Sequence, residues 1–194
     1  DDSYVANMSF DPTNSQLWSI LKPMYQQIET TVPGNSYIAL QKLIDLLGVS
    51  GASCRIMTQN IDGLVCSIQC DQIIELHGTW KNVIDENGTL IDTREILNTL
   101  DNQSVILENY RPNRILFGDN LRVSKTKLFS MLKGIKQVIV IGTSMQFPYL
   151  QKVLAKARHK GCSIIHINPD KEYQGWSGKD RILRHTAESG LELL

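Results

Sequence analysis

The stretch Val138-Ile139-Val140-Ile141-Gly142-Thr143-Ser144 is apolar for four residues and then changes to glycine and two hydroxyls. A run that is apolar throughout, rather than alternating, is expected of a strand covered on both faces. Three further short, mostly apolar runs follow: Cys54 to Met57, Ile73 to Leu76 and Ser163 to Ile167. Each again ends in small or hydrogen-bonding residues, namely Thr58-Gln59-Asn60-Ile61-Asp62-Gly63, His77-Gly78 and Asn168-Pro169-Asp170. The segments between are long enough for helices, and Lys125 to Leu132 and Leu150 to Lys160 carry helical periodicity. The reading is an α/β fold: a Rossmann-like parallel sheet with helices on both faces. In open sheets of this kind ligands bind beyond the carboxyl ends of the strands, so the polar strand ends are expected to line a pocket.

Upstream of these runs the chain reads as helical. Leu17, Trp18, Leu21, Met24 and Tyr25 recur at helical spacing after Asp11-Pro12, and a second stripe runs through Ile38, Leu40, Leu43, Ile44 and Leu47 until Gly48. Pro33-Gly34-Asn35 between them is a turn signal. Lys81 to Tyr110 is polar and rich in Asn and Asp around Asn87-Gly88, and reads as a small inserted lobe or a loop.

Composition narrows the function classes. With 194 residues, 42% apolar side chains and Lys+Arg 20 against Asp+Glu 20, the chain is long enough for a core without disulfides or a metal. Zero formal net charge and the lack of a dense basic run argue against duplex nucleic-acid binding. The apolar runs are too short to cross a bilayer, and no leader-like segment opens the sequence, so no membrane partner is expected. The first residues are Asp1-Asp2-Ser3 rather than Met, which reads as a trimmed or processed chain or as part of something longer. Cys54, Cys66, Cys70 and Cys162 are too scattered for a disulfide framework, which suggests a reducing intracellular compartment, nuclear or cytoplasmic. Cys66 and Cys70 have no second pair to complete a structural zinc site, so ordinary thiols are expected.

Several residues at the strand ends have useful chemistry. An imidazole such as His77 titrates near neutrality and, when neutral, can take a proton from a hydroxyl. Amide side chains such as Gln59 and Asn60 both donate and accept, and the Asp62 carboxylate accepts. Each also has an ordinary structural reading, since Asn and Asp followed by Gly63 are turn formers and Gly-Thr-Ser after a strand is a common turn.

The order of the motifs is more specific than any one of them. Thr58-Gln59-Asn60-Ile61-Asp62-Gly63-Leu64, Glu75-Leu76-His77-Gly78, Arg111-Pro112-Asn113 leading into Phe117-Gly118-Asp119-Asn120-Leu121, Gly142-Thr143-Ser144 with Pro148, and Ile167-Asn168 resemble the ordered signature of the sirtuins. The resemblance runs from about residue 10 to the C-terminus. It implies one sirtuin-like domain over 1–194, with 33–80 and 111–194 forming the Rossmann-like part, 81–110 a small metal-free insert and 10–32 the helical segment of the small lobe. It also implies NAD as cofactor, an acylated-lysine protein or peptide as partner, and removal of the acyl group. In that family the acyl oxygen attacks the ribose carbon as nicotinamide leaves, and a histidine base helps resolve the product. His77, Asn60 and Asp62 would be catalytic. Gln59, Asn60, Asp62, Gly142, Thr143, Ser144, Asn168 and Ala187 would bind NAD. Ile115, Phe117, Gly118, Asp119 and Asn120 would bind the acyl-lysine peptide, which adds as a strand.

Two family features are missing. No Gly-Ala-Gly-type phosphate loop occurs in the 194 residues, so its strand is expected upstream of Asp1, unless the domain is degenerate. No cysteine lies between His77 and Phe117, where most sirtuins carry two zinc-binding pairs, so no zinc is expected. Besides deacylation, NAD hydrolysis or ADP-ribosyl transfer, and non-catalytic NAD binding, stay open on the sequence.

Overall fold

The computed structural model describes residues 15–100, 110–115, 121, 123–173 and 175–194. These form two compact units. The first is drawn from within Asp1–Val32, Ile56–Ser67 and Ile73–Arg122, the second from Pro33–Arg55, Ile68–Gln72 and Val123–Leu194.

The first unit opens with helix α1 (Ser15–Thr30), which carries Pro23 in its interior. Strands β1 (Arg55–Thr58) and β2 (Gln72–Glu75), whose first residues are counted with the second unit, make a two-stranded sheet, and a short 3-10 turn over Leu64–Ser67 lies between them in sequence. Then come β3 (Gly78–Ile84), β4 (Leu90–Asp92), helix α3 (Thr93–Leu100) and β5 (Arg111–Arg114). The segment read as a lobe or loop is therefore ordered over its described part. Residues 81–84 continue β3, and the Asn87-Gly88 turn closes a hairpin in register Ile84↔Leu90 and Asn82↔Asp92. The Asp85 carboxylate fixes that turn by accepting from the Asn87 and Thr89 backbone N–H groups at 2.9 and 2.7 Å. The sheet order is β4-β3-β5, antiparallel throughout. Pro112 is tolerated in β5 because that strand lies at the edge.

One apolar cluster holds this unit together. Trp18, Leu21 and Tyr25 of α1 pack with Trp80 and Val83 of β3 and with Ile96 and Leu97 of α3. Their i, i+3, i+7 spacing makes one face of α1 apolar, and burying each such side chain contributes about 1.5–3 kcal/mol. The Trp18 indole N–H donates to the Tyr110 carbonyl at 3.2 Å, so the ring is buried with its polar edge satisfied.

The second unit contains α2 (Asn35–Val49), α4 (Lys125–Ser130), β6 (Gln137–Ile141), α5 (Pro148–His159), β7 (Ser163–Ile167), β8 (Arg181–Leu183) and α6 (Ala187–Leu191). Strands β6, β7 and β8 are parallel in that order, with Val140↔His166 and His166↔Ile182 in register. The apolar runs at 138–141 and 163–167 are thus parallel strands, as their composition predicts. Gly34 caps α2 within the expected turn, and Pro148 starts α5, where the missing N–H costs nothing. Val153, Leu154 and Ala157 form the buried stripe of α5, while α6 packs against α2 and against β7. Among the described residues, no helix is long and apolar enough to cross a membrane.

Candidate active site

In the first unit, the loop after β1 and the turn after β2 are joined by main-chain bonds. The Leu76 N–H donates to the Thr58 carbonyl at 2.8 Å, and the Trp80 N–H to the Ile61 carbonyl at 2.8 Å. Gln59, Asn60 and Asp62 are thereby held against the His77 turn. The Asn60 N–H donates to Thr58 Oγ1 at 3.0 Å. Asp62 Oδ1 accepts from the Leu64 N–H at 2.9 Å, so one carboxylate oxygen shapes the turn that the Asp-Gly pair suggests.

His77 is half-buried between β2 and β3. Burial lowers its pKa below the ordinary 6.5, and a hydrogen bond to the Gln59 main chain pulls the other way without cancelling it. The ring is therefore neutral at neutral pH, the form that can accept a proton. The His77 carbonyl accepts from the Ile115 N–H at 2.9 Å, which brings the start of the expected substrate loop to the histidine. This close approach requires Gly78. Its φ is +79°, and a Cβ there would lie 2.8 Å from Arg114 Cα and collide with the Asn113 carbonyl. Phe117, Gly118, Asp119 and Asn120 lie outside the described residues.

The second unit holds the remaining predicted positions. Gly142 caps β6 with φ +61°, its N–H donates to the Ile167 carbonyl at 3.0 Å, and a Cβ built on it would meet nothing within 4 Å. The backbone after β6 is thus open to close approach. Ser144 is exposed and Thr143 half-buried. Asn168, only 8% exposed, spends its amide on both sides of this strand end. Its Nδ2 donates to the Thr143 carbonyl at 3.2 Å, and its Oδ1 accepts from the Asp170 N–H at 2.9 Å. Ala187 begins α6 directly after Thr186, whose Oγ1 accepts from the Ser189 N–H. The structure thus brings Gln59, Asn60, Asp62, His77 and Ile115 together in one unit, and Gly142, Thr143, Ser144 and Asn168 in the other.

Two residues here carry no role in the sequence reading. Burial raises the pKa of the half-buried Glu75 carboxyl and the nearby Asp62 adds to this, while Thr79 and Lys81 oppose it. The signal was its place two residues before His77. Met145 adopts φ +58° although it is not glycine, and is 4% exposed. No sequence rule for a Met at this place suggests a left-handed backbone, which costs a non-glycine residue of order 1 kcal/mol.

Among the described residues, no group of three or more His, Cys, Asp or Glu side chains is placed to hold a metal ion. Cys54, Cys66, Cys70 and Cys162 are free thiols. The open backbone at Gly142 beside the buried amide of Asn168 suits a nucleotide ribose, which offers hydroxyls to donors and acceptors alike.

The family model described as Sir2 family matches residues 7–148, more than half of the chain. A protein of Thermodesulfovibrio yellowstonii named NAD-dependent protein deacetylase is 25% identical over 170 residues, covering 84% of this chain and 65% of its own length. A Pyrococcus furiosus protein named NAD-dependent protein deacylase is 29% identical over 170 residues, covering 78% of this chain and 63% of its own. The chain therefore spans less than two thirds of the length of these relatives. A solved structure described as "The Structural basis of Sirtuin Substrate Affinity" superposes with a TM-score of 0.77 at 17% identity, over 95% of this chain and 76% of that one. Another, "Sir2 bound to acetylated peptide", gives 0.75 at 16% identity, over 92% and 76%. At these identities the structural likeness establishes the fold: a sirtuin-like α/β fold with a Rossmann-like parallel sheet.

Proposed function

Because the chain belongs to the Sir2 family, we propose that it is an NAD-dependent protein deacylase acting on acyl-lysine. The acyl group would pass to ADP-ribose, nicotinamide would leave, and the lysine amine would be freed. The observation that carries this reading is the neutral, half-buried His77, bonded to Gln59 through its ring and to Ile115 through its carbonyl.

NAD supplies the electrophilic ribose carbon and the hydroxyl that finally carries the acyl group. The chain's own residues do the rest. His77 would stand as the base that takes a proton from a hydroxyl of the bound nucleotide; a positioned base of this kind contributes about 10²–10⁴-fold. Asn60 and Gln59 offer amides to the nicotinamide ribose, and Asp62 accepts from the carboxamide NH2. Gly142, Thr143, Ser144, Asn168 and Ala187 would serve the rest of the dinucleotide. Ile115 with Phe117 would line the acyl-lysine stem, and Gly118, Asp119 and Asn120 the peptide path. The insert at 81–110 would fold without zinc, since Cys pairs are missing between His77 and Phe117. The free thiols support a reducing, nuclear or cytoplasmic setting.

His77→Ala tests the assignment. Nicotinamide release coupled to deacylation of an acetylated peptide is expected to fall by at least about 100-fold, with NAD affinity by calorimetry within about threefold of wild type. Full activity in this variant would remove His77 from the chemistry. Metal analysis of the purified chain is expected to find no stoichiometric zinc, and one equivalent would refute the metal-free insert.

A further inference from the structure

Two residues before Asn168, within β7, sits His166, a histidine that the proposed chemistry does not use. It is fully buried at 0% exposure. Its Nδ1 is 2.8 Å from the Tyr173 hydroxyl and its Nε2 3.0 Å from Asp180 Oδ2. The carboxylate accepts, so Nε2 carries the proton, and Nδ1 accepts from the tyrosine.

Every member of this chain is satisfied. Asp180 also accepts from the Ser177 N–H at 2.9 Å and from both Nε and Nη2 of Arg158 on α5. Tyr173 is 3% exposed and tilted against the His166 ring, with centroids 5.6 Å apart. A buried polar chain that is complete rigidifies its surroundings, whereas removing one member leaves another buried and unpaired.

The chain reaches both loops assigned to NAD. Tyr173 and Asp180 fix the connection from β7 to β8, which begins Asn168-Pro169-Asp170. That connection then closes on the other loop at Gly175. A Cβ there would lie 2.6 Å from Tyr173 Cζ and 2.7 Å from Met145 Cβ, so only glycine lets the backbone pass between them. Met145 is the left-handed non-glycine residue of the Gly142–Met145 turn, and its carbonyl is held by Gln151 Nε2 at 3.0 Å. Asn168 closes the circuit through the Thr143 carbonyl.

We infer that the Tyr173–His166–Asp180 chain is a positioning device that sets the affinity for the adenosine half of NAD. It acts by fixing Asn168 and the Gly142–Met145 turn. His166 and Tyr173 are positioning residues: they act through the loop that carries Asn168. The inference rests on the NAD-binding role proposed for Asn168 above.

Titration calorimetry with AMP and with nicotinamide mononucleotide, on the full chain, separates the possibilities. Tyr173→Phe removes one hydroxyl and keeps the ring. AMP binding is expected to weaken about fivefold or more, as for one lost buried hydrogen bond, with nicotinamide mononucleotide affinity within about twofold. His166→Gln, whose amide still reaches one partner, is expected to show the same AMP-selective loss, and carries the test if Tyr173→Phe does not fold. Unchanged AMP affinity in a folded variant, or equal weakening of both nucleotides, would overturn the positioning role. A wild-type chain that binds neither nucleotide would overturn the NAD reading itself, and this inference with it.

Discussion

Gly78 and Gly142 both have positive φ, yet alanine at the two positions is expected to behave differently. At Gly142 a Cβ meets nothing within 4 Å, so Gly142→Ala costs only the left-handed strain, about 1 kcal/mol. At Gly78 the same atom would drive β5 away from the His77 turn, because Arg114 Cα is 2.8 Å off. Gly78→Ala is therefore expected to cost more than about 3 kcal/mol, strain and overpacking together, and to separate Ile115 from His77. Denaturant midpoints of the two variants check this, and equal losses would contradict it. His77 itself makes a pH prediction. Burial lowers its pKa, so the base stays neutral, and activity stays level, down to a pH below 6.5 before an acid limb begins. A rate profile on the acetylated peptide that already falls above 6.5 would contradict the neutral-base assignment.

At the scale of elements, the clearest sequence signals were the mostly apolar runs 138–141 and 163–167, which became β6 and β7, paired in register from Gln137↔Ser163 to Ile141↔Ile167. Helices α1, α2 and α5 were equally legible from their apolar stripes. The antiparallel β4-β3-β5 sheet was not, because β3 reads Gly-Thr-Trp-Lys-Asn-Val-Ile and β5 contains Pro112, so neither shows an unbroken β pattern. Trp80 and Val83 of β3 are buried with α1 and α3, and β5 pairs antiparallel with that strand. A second feature invisible in sequence is Arg55. Its guanidinium donates to the carbonyls of Ser130, Met131 and Lys133 at 3.3, 3.1 and 2.8 Å, satisfying the end of α4 and the turn after it. Arg55→Met keeps the aliphatic stem and strands those carbonyls. It is expected to lower stability by about 1–3 kcal/mol, read as a drop in melting temperature without loss of helix content by circular dichroism.

For the molecule as a whole, the titrating groups set a stability window. Burial leaves His77 and His166 with pKa values below 6.5 in the folded state, although Asp180 partly offsets this for His166. The unfolded chain binds the extra protons first, so stability is full above about 6.5 and declines as pH falls below it. In the carboxylate range Asp71, Asp85 and Asp180 add to the decline. Their folded pKa values are lowered, by hydrogen bonds from Ser53 and Cys54 at Asp71 and from Thr89 at Asp85. At Asp180 burial works to raise the pKa, and bonds from Arg158, Ser177 and His166 together outweigh it. Glu75 opposes the trend, since burial raises its pKa. At the alkaline end burial pushes the Tyr173 hydroxyl up to about 12, so stability falls as pH rises above 10. Melting temperature against pH is expected to trace this dome, and Tyr173→Phe to flatten its alkaline limb.

The candidate site was legible in part, for a physical reason. Motif order identifies residues at strand ends, so Gln59, Asn60, Asp62, His77, Gly142 and Asn168 could be named from sequence. The partners that orient them are separated by unpatterned loops, so the Asn168 bond to Thr143 and the Tyr173–His166–Asp180 chain could not. The most direct test of the central claim is nicotinamide release from NAD by this chain, with and without an acetylated lysine peptide. The expected result is release that requires the peptide and matches it in lysine deacetylated. Release that ignores the peptide, or none in its presence, would contradict a protein deacylase.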